Sequence, residues 1–178
     1  NQGFLMNRQK DTNALNLTGG EYVDAGDSAT LDITSAITLE AWFKKEDTTT
    51  IGEIVTRRDA SAENYDLLAY SNGEVYFQLW VDSGNNIQKQ VSYTANTWHH
   101  VVGTYDGTNQ KLYLNGSLED NDVESGSIDN DDASLTIGAN AAGTNLFNGS
   151  IDDVRVYSRA LTLAEVKRNY NAGKRSHR

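Results

Sequence analysis

Residues 37–44 read ITLEAWFK, and this stretch decides the fold because its apolar side chains recur at every second position. Successive side chains of an extended strand point to opposite faces. One face of this strand is therefore apolar, formed by Ile37, Leu39, Ala41 and Phe43. The opposite face carries Glu40 and Trp42, so the strand is predicted to cover a hydrophobic core on one side only.

Residues 74–82 repeat this alternation, with apolar side chains on one face and Tyr76, Gln78 and Trp80 on the other. Shorter runs rich in Val, Ile, Thr and Tyr indicate further strands at 13–17, 21–25, 53–57, 65–71, 87–93, 98–105, 111–115, 134–138 and 149–157. Turn dipeptides separate several of these runs, and Asn115-Gly116 marks the clearest two-residue hairpin. The sequence predicts an all-β protein built from two packed antiparallel sheets.

Residues 163–171 are typical of a helix. Thr162 can cap its start, and Glu165 follows three positions later as the partner of a capping box. Gly173 lies just past the end of the segment, where helices commonly stop. We expect one short helix on the periphery of the sandwich, followed by a basic, mobile tail at residues 173–178.

The composition limits the classes of ligand. At 178 residues the chain is long enough for one domain with its own core. It carries 15 Lys and Arg against 25 Asp and Glu, a net charge of −10 that disfavours nucleic acid and anionic membranes. Cys is absent, which excludes disulfides and thiolate metal sites. No apolar run approaches the roughly 20 residues of a spanning helix, so we expect no membrane insertion.

Four motifs follow one another along the chain: ITLEAWFK at 37–44, WHHVVGTYDG at 98–107, KLYLNG at 111–116 and FNGSIDDVRVYSRAL at 147–161. In this order they resemble the laminin-G-like domains of the concanavalin A-like lectin and glucanase superfamily. The resemblance implies a two-sheet antiparallel jelly-roll sandwich, found in secreted or cell-surface proteins as a sugar-binding or adhesive module. It covers residues 13–172, between an N-terminal extension at 1–12 and the tail at 173–178.

Enzymatic activity is not expected, although the superfamily includes glycosidases. Those enzymes carry a Glu-x-Asp-x-x-Glu or Glu-x-Asp-x-Glu strand, which sets two carboxylates about 5 Å apart on one face. This chain lacks that strand, and the nearest acidic cluster, residues 119–124, has Asn121 where the Asp is required. We interpret this cluster as a solvated edge or loop. His99 and His100 point to opposite faces of one strand, so they cannot act as a catalytic pair.

The face with Tyr76, Gln78 and Trp80 is the candidate for binding carbohydrate, joined by Trp42 and Glu40 from another strand. Sugars present apolar C–H faces together with hydroxyls, so aromatic rings supply stacking surfaces while amide and carboxylate groups take hydrogen bonds. We predict a non-catalytic, extracellular or cell-surface module that binds a polysaccharide or glycoconjugate on a concave sheet face and its rim loops.

Two alternatives to this interpretation stay open. The Trp and Tyr side chains could instead be buried packing residues, and in the family the Trp matching Trp42 is structural. The domain could also be an adhesive or structural unit of a surface, pilus or virion protein that contacts protein through its edges and has no sugar site.

Calcium is the cofactor that the resemblance implies. Asp152 matches an aspartate on the terminal strand of related jelly-roll glucanases, where it binds a structural calcium. Calcium takes about six to eight oxygen ligands, so the backbone near Gly19 and the side chain of Asp24 would have to complete the shell. Alternatively, Asp152 caps backbone amides or pairs with Arg155 or Arg159.

Overall fold

The computed structural model describes residues 14–18, 20–58 and 62–177, and these fold into a sandwich of two antiparallel sheets with one α-helix. The predicted all-β jelly-roll architecture is confirmed. A short 3-10 helix at Ala29–Leu31 lies in one of the connections. The predicted N-terminal extension, residues 1–12, lies outside the described residues.

Among the described residues each sheet has six strands, here numbered along the chain. The first sheet runs in the order β1 (Leu15–Leu17), β12 (Gly149–Tyr157), β3 (Ile37–Lys45), β8 (His99–Tyr105), β9 (Asn109–Leu114) and β10 (Ser117–Val123). The second sheet runs in the order β2 (Val23–Asp24), β11 (Leu135–Ile137), β4 (Gly52–Arg58), β5 (Glu63–Ala69), β6 (Glu74–Val81) and β7 (Asn85–Ser92). The α-helix, α1, spans Leu163–Gly173.

The hydrophobic core lies between the sheets, where the alternating apolar positions predict it. The apolar face of β3 is fully buried and meets the apolar face of β6, which comprises Val75, Phe77, Leu79 and Val81. Gly103 on β8 allows the ring of Phe77 on the facing sheet to pack against the β8 backbone, because a β-carbon at this position would overlap that ring. The outer faces of both sheets are consequently free to carry polar and aromatic side chains.

The predicted hairpin at Asn115-Gly116 is confirmed. Leu114 on β9 pairs directly with Ser117 on β10. Both turn residues have positive φ, 51° at Asn115 and 79° at Gly116, which matches the twist of the strands that they join. The acidic segment after the turn forms β10, an exposed strand at the edge of the first sheet.

Helix α1 begins as predicted, with the Thr162 side chain accepting from the Glu165 amide and the Glu165 side chain accepting from the Thr162 amide. The helix continues to Gly173, beyond the predicted end at residue 171. A β-carbon on Gly173 would overlap the indole of Trp42, so this glycine lets the helix lie directly on the outer face of the first sheet. The predicted mobile tail is in part folded back, because His177 is buried against the same sheet.

Candidate functional site

The residues predicted to bind carbohydrate lie in two separate places. Tyr76, Gln78 and Trp80 project from β6 on the outer face of the second sheet. Glu40 and Trp42 project from β3 on the outer face of the first sheet, on the other side of the sandwich. The two groups therefore do not form one surface, because alternation fixes the two faces of each strand but does not say which sheet the strand joins.

Glu40 is fully buried and belongs to a polar cluster beneath α1. Its carboxylate accepts hydrogen bonds of 2.9 Å from His100 Nε2, Arg155 NH1 and Asn169 Nδ2. Burial raises the pKa of Glu40, but the hydrogen bond and charge of His100, the charge of Arg155 and the Asn169 amide outweigh it and hold the pKa below the usual range. In this position Glu40 fastens the helix and has no surface for a ligand.

Trp42 is also buried, with only 2% of its surface exposed. Tyr170 of α1 stacks on the indole at 5.6 Å between ring centroids, and His177 stacks closer, at 4.3 Å. The structure therefore favours the alternative in which Trp42 is a packing residue. His99 and His100 face opposite sides of β8, as predicted, since His100 bonds to Glu40 while His99 contacts the core residue Phe43.

Two of the residues predicted to hold calcium, Asp152 and Asp24, lie on strands of different sheets. Asp152 lies on the outer face of the first sheet, where its Oδ2 accepts a 2.9 Å hydrogen bond from His177 Nε2 and its Oδ1 accepts from the Asp153 amide. Asp24 lies on β2 of the second sheet and caps the Gly26 amide. Gly19 lies outside the described residues. Within the part of the chain that the structure describes, no three His, Asp or Glu side chains converge to hold a metal ion. The expected shell also draws on the backbone near Gly19, so calcium at Asp152 stays a prediction.

A cleft of about 350 Å³ opens on the outer face of the second sheet, beside the predicted residues Gln78 and Trp80. Strands β4, β5, β6 and β7 form its floor, and the loop before β12 closes one side. Its lining combines apolar, aromatic, amide and guanidinium groups: Ile51, Arg58, Leu68, Tyr70, Gln78, Trp80, Asn86 and Asn145. We refer to this feature as the sheet cleft.

Trp80 forms one wall of the sheet cleft and is 6% exposed. The guanidinium of Arg58 lies over its ring, 4.9 Å from the ring centroid. The same guanidinium contacts Asp66 at 3.3 Å and Glu63 at 3.4 Å. Arg58 thus makes a cation–π contact with the indole, and its positive charge is shared with two carboxylates.

An aromatic pair continues the cleft along the sheet. The rings of Tyr70 and Tyr76 lie 5.4 Å apart at an angle of 56°, and Tyr70 is 41% exposed. The Tyr76 hydroxyl donates to Glu74 and accepts from Asn72 Nδ2 at 2.9 Å. Partial burial and the neighbouring Glu74 raise the pKa of Tyr76. The two phenol rings offer apolar surface, while the hydroxyl of Tyr76 stays a neutral hydrogen-bonding group.

Amide side chains line the opposite part of the sheet cleft. Gln78 Nε2 donates a 2.6 Å hydrogen bond to Gln88 Oε1 across β6 and β7. Asn145 Nδ2 donates at 3.0 Å to Glu53, a fully buried residue of β4. Because each of these amides already has one partner, its orientation is fixed and its other amide atom can serve a ligand.

The sequence did not identify Arg58, Tyr70, Asn86 or Asn145 as site residues. Arg58 and Tyr70 stand at the ends of predicted strands, where alternation is weakest as a guide to which face a residue occupies. Asn86 is the second residue of β7 and lies opposite Trp80 on β6, so the pairing of these two strands could have indicated it. Asn145 comes from a loop, and no local pattern relates that loop to β4.

The chain is similar to known proteins in sequence and in fold. A family model described as the Concanavalin A-like lectin/glucanases superfamily, Laminin_G_3, matches residues 17–167. The Adhesion G-protein coupled receptor V1 of Danio rerio is 27% identical over 186 residues, which is 96% of this chain but 3% of the receptor.

Solved structures with the same fold include receptor-binding parts of toxins. The binding domain of Paraclostridial Mosquitocidal Protein 1 has a TM-score of 0.71 at 18% identity, over 89% of this chain and 42% of that structure. The Botulinum Neurotoxin serotype G binding domain has a TM-score of 0.71 at 15% identity, over 96% of this chain and 45% of that structure. The binding domain of Botulinum neurotoxin DC, solved in complex with rat synaptotagmin II, has a TM-score of 0.66 at 16% identity, over 85% of this chain and 40% of that structure. This chain spans less than half of each of these structures.

The described residues include no helix that is both long enough and apolar enough to cross a bilayer.

Proposed function

The chain belongs to the concanavalin A-like lectin/glucanase superfamily, and from this premise we propose that it is a non-catalytic, extracellular or cell-surface module that binds glycans in the sheet cleft. One observation carries the proposal: exposed aromatic surface at Tyr70 and oriented amides at Gln78 and Asn145 line the same opening. Stacking surfaces and directional hydrogen-bonding groups at one site match the amphipathic surface of a sugar ring.

The charges of the sheet cleft favour a neutral glycan. Arg58 is the charged residue of the lining, and its guanidinium already contacts Asp66 and Glu63. The chain as a whole carries a net charge of −10. An anionic sugar would lose part of its hydration on entering the cleft. The guanidinium of Arg58 would not compensate for this loss, because it is already paired with two carboxylates on a protein of net negative charge.

The position of the carboxylates supports a non-catalytic role for the sheet cleft. The residues given above for the lining of the sheet cleft include no Asp or Glu. The nearest buried carboxylates, Glu53 and Asp66, have no exposed surface. A glycosidase needs two carboxyl groups that reach the glycosidic bond, so this cleft is suited to binding and not to hydrolysis.

Titration calorimetry against a panel of neutral and acidic oligosaccharides tests the proposal. We expect a neutral glycan to bind the wild-type chain, and Tyr70→Ala or Gln78→Ala to weaken its affinity by about fivefold to tenfold. Leu163→Ala is the matched control, because Leu163 is 42% exposed on α1, on the opposite side of the sandwich. Failure of every glycan to bind, or equal loss in the Leu163 variant, would contradict the proposal.

A second candidate function, adhesion to a protein, is favoured by the free edge of the first sheet. Among the described strands, β10 pairs only with β9, so its other edge has no partner strand. Val123 at the end of β10 is 78% exposed. An exposed strand edge can accept a strand from another chain. Binding to cells that survives glycosidase treatment, is abolished by protease treatment and is lost in Val123→Asp would favour this candidate over glycan recognition.

A further inference from the structure

Two carboxylates lie buried together directly beneath the sheet cleft. Glu53 on β4 and Asp66 on β5 both point to the outer face of the second sheet, and neither has exposed surface. Glu53 pairs with Leu68, which stands two positions from Asp66 on the same face. The two carboxylates are therefore diagonal neighbours across adjacent strands, close enough for each charge to act on the other.

Each carboxylate holds one residue of the cleft wall through one of its oxygens. Glu53 Oε1 accepts from Asn145 Nδ2 at 3.0 Å, and Asp66 Oδ2 accepts from Arg58 NH1 at 3.3 Å. The remaining oxygens, Glu53 Oε2 and Asp66 Oδ1, are buried without a hydrogen-bond partner among the described residues, as is the Thr56 hydroxyl beside them. Buried acceptors without partners are costly, so this arrangement requires an explanation.

The charge balance supplies that explanation. If both carboxylates were ionised, two buried negative charges would face one guanidinium that is also shared with Glu63. Burial raises the pKa of Glu53, and burial together with the charge of Glu53 raises the pKa of Asp66 well above its usual range. One bound proton would remove the excess charge and would give the unpartnered oxygens a hydrogen bond.

We propose that Glu53 and Asp66 hold a single proton between them and act as positioning residues for the sheet cleft. Through Asn145 and Arg58 the protonated pair fixes two residues of the cleft lining, so the affinity for glycan depends on the protonation of the pair. The proposal rests on the proposed glycan binding. Loss of the shared proton as pH rises places two like charges side by side, which disturbs both wall residues and weakens binding.

The other groups around the pair leave this titration to the two carboxyls. Arg58 faces the pair from β4 and Glu63 from the start of β5. Strand β11, on the far side of β4, comprises Leu135, Thr136 and Ile137 and contributes no charge. Strand β6, on the far side of β5, faces the pair with side chains that are neutral at pH 7, namely Tyr76, Gln78 and Trp80.

The experiment measures the affinity of the bound neutral glycan between about pH 4 and pH 9 by calorimetry. We expect wild-type affinity to fall by about fivefold as pH rises, the effect of losing one oriented hydrogen bond. Asp66→Asn and Glu53→Gln remove the shared proton and should make the profile flat. Glu63→Gln is the matched control, because it removes a carboxylate from Arg58 but leaves the buried pair intact. A flat wild-type profile, or a Glu63→Gln profile as flat as that of Asp66→Asn, would overturn the proposal.

Infrared spectroscopy of the ligand-free protein provides a second measurement that does not depend on glycan binding. We expect the carbonyl band of a protonated carboxylic acid in the wild-type chain at neutral pH, and its loss in Asp66→Asn and in Glu53→Gln. If the band is present but no glycan binds, the proposed function fails while the shared proton stands. If the band is absent from the wild type, the proposal is wrong even where glycan binds.

Discussion

Trp42 and His177 lie face to face, with ring centroids 4.3 Å apart and ring planes 7° from parallel. The imidazole also bonds to Asp152 Oδ2 and to the Gly173 carbonyl, each at 2.9 Å. Trp98 closes the remaining side with an edge contact at 4.8 Å. The residues that follow α1 are therefore fastened to the central strand of the first sheet and complete the cover over Trp42.

His177→Ala should destabilise the domain. Loss of the aromatic stack and of the hydrogen bonds to Asp152 and to the Gly173 carbonyl is expected to lower the free energy of unfolding by about 2–4 kcal/mol. Urea unfolding followed by tryptophan fluorescence measures this change, and the fluorescence of the folded variant should report greater solvent exposure of Trp42. Arg175→Ala is the control, since Arg175 is exposed on the same segment; an equal loss in both variants would mean that the stack contributes nothing.

Glu40 should make the domain less stable in acid. Its pKa lies below the ordinary value of 4.5, so its contribution is fully present above that value and is lost as pH falls through the lower pKa of the folded state. Glu40→Gln is expected to cost about 2–3 kcal/mol at neutral pH, because the charged acceptor of three hydrogen bonds is lost. Urea titrations at several pH values measure this, and the gap between variant and wild type should narrow in acid. A difference in unfolding free energy between wild type and Glu40→Gln that stays the same at every pH would contradict the lowered pKa of Glu40.

Asp66 should show the opposite pH dependence. Its pKa is raised well above the ordinary value of 3.8, so its contribution is fully present below that value and is lost as pH rises through the higher pKa of the folded state. Asp66→Asn removes a buried ionisable group and should flatten the decline in stability toward alkaline pH. Melting temperatures across this range test the prediction, and a variant whose melting temperature falls with pH as steeply as that of the wild type would refute it.

Gly103 should tolerate no side chain. A β-carbon at this position overlaps the Phe77 ring, which is fixed between the sheets, so Gly103→Ala overpacks the core and should cost about 1–3 kcal/mol. The smaller side chain in the double variant Gly103→Ala with Phe77→Leu should recover part of this loss. Equilibrium unfolding of the single and double variants forms a cycle that measures the coupling, and strict additivity would show that the two positions do not compete for space.

Local periodicity predicted the strands and the faces of this fold but not the assembly of its site. The alternation within β3 and β6 placed Trp42 and Trp80 on outer faces, and both are there. Whether an outer face is covered depends on segments distant in sequence: α1 lies over Trp42, whereas the sheet cleft opens beside Trp80. Local pattern carries no information about such long-range contacts.

The adjacent residues Arg57 and Arg58 show the same limit. Arg57 is 1% exposed and its guanidinium bonds to Asp27 and Asp32, at 2.7 and 2.8 Å, which ties the loop near the 3-10 helix to β4. Arg58 points to the other face and lines the sheet cleft. Local sequence does not distinguish the two arginines, because the carboxylates that bind Arg57 lie 25 and 30 positions away along the chain.

The calcium expected from the family resemblance can be tested through Asp152. Because Asp152 binds His177, we expect Asp152→Ala to lower the melting temperature by the same amount in EDTA and in calcium chloride. A bound ion instead stabilises only the folded state that holds it, so wild-type melting would then rise with calcium and the rise would vanish in Asp152→Ala. Differential scanning calorimetry of both proteins in both buffers separates these outcomes. His177→Ala is the control, since it removes the same hydrogen bond without removing a potential calcium ligand.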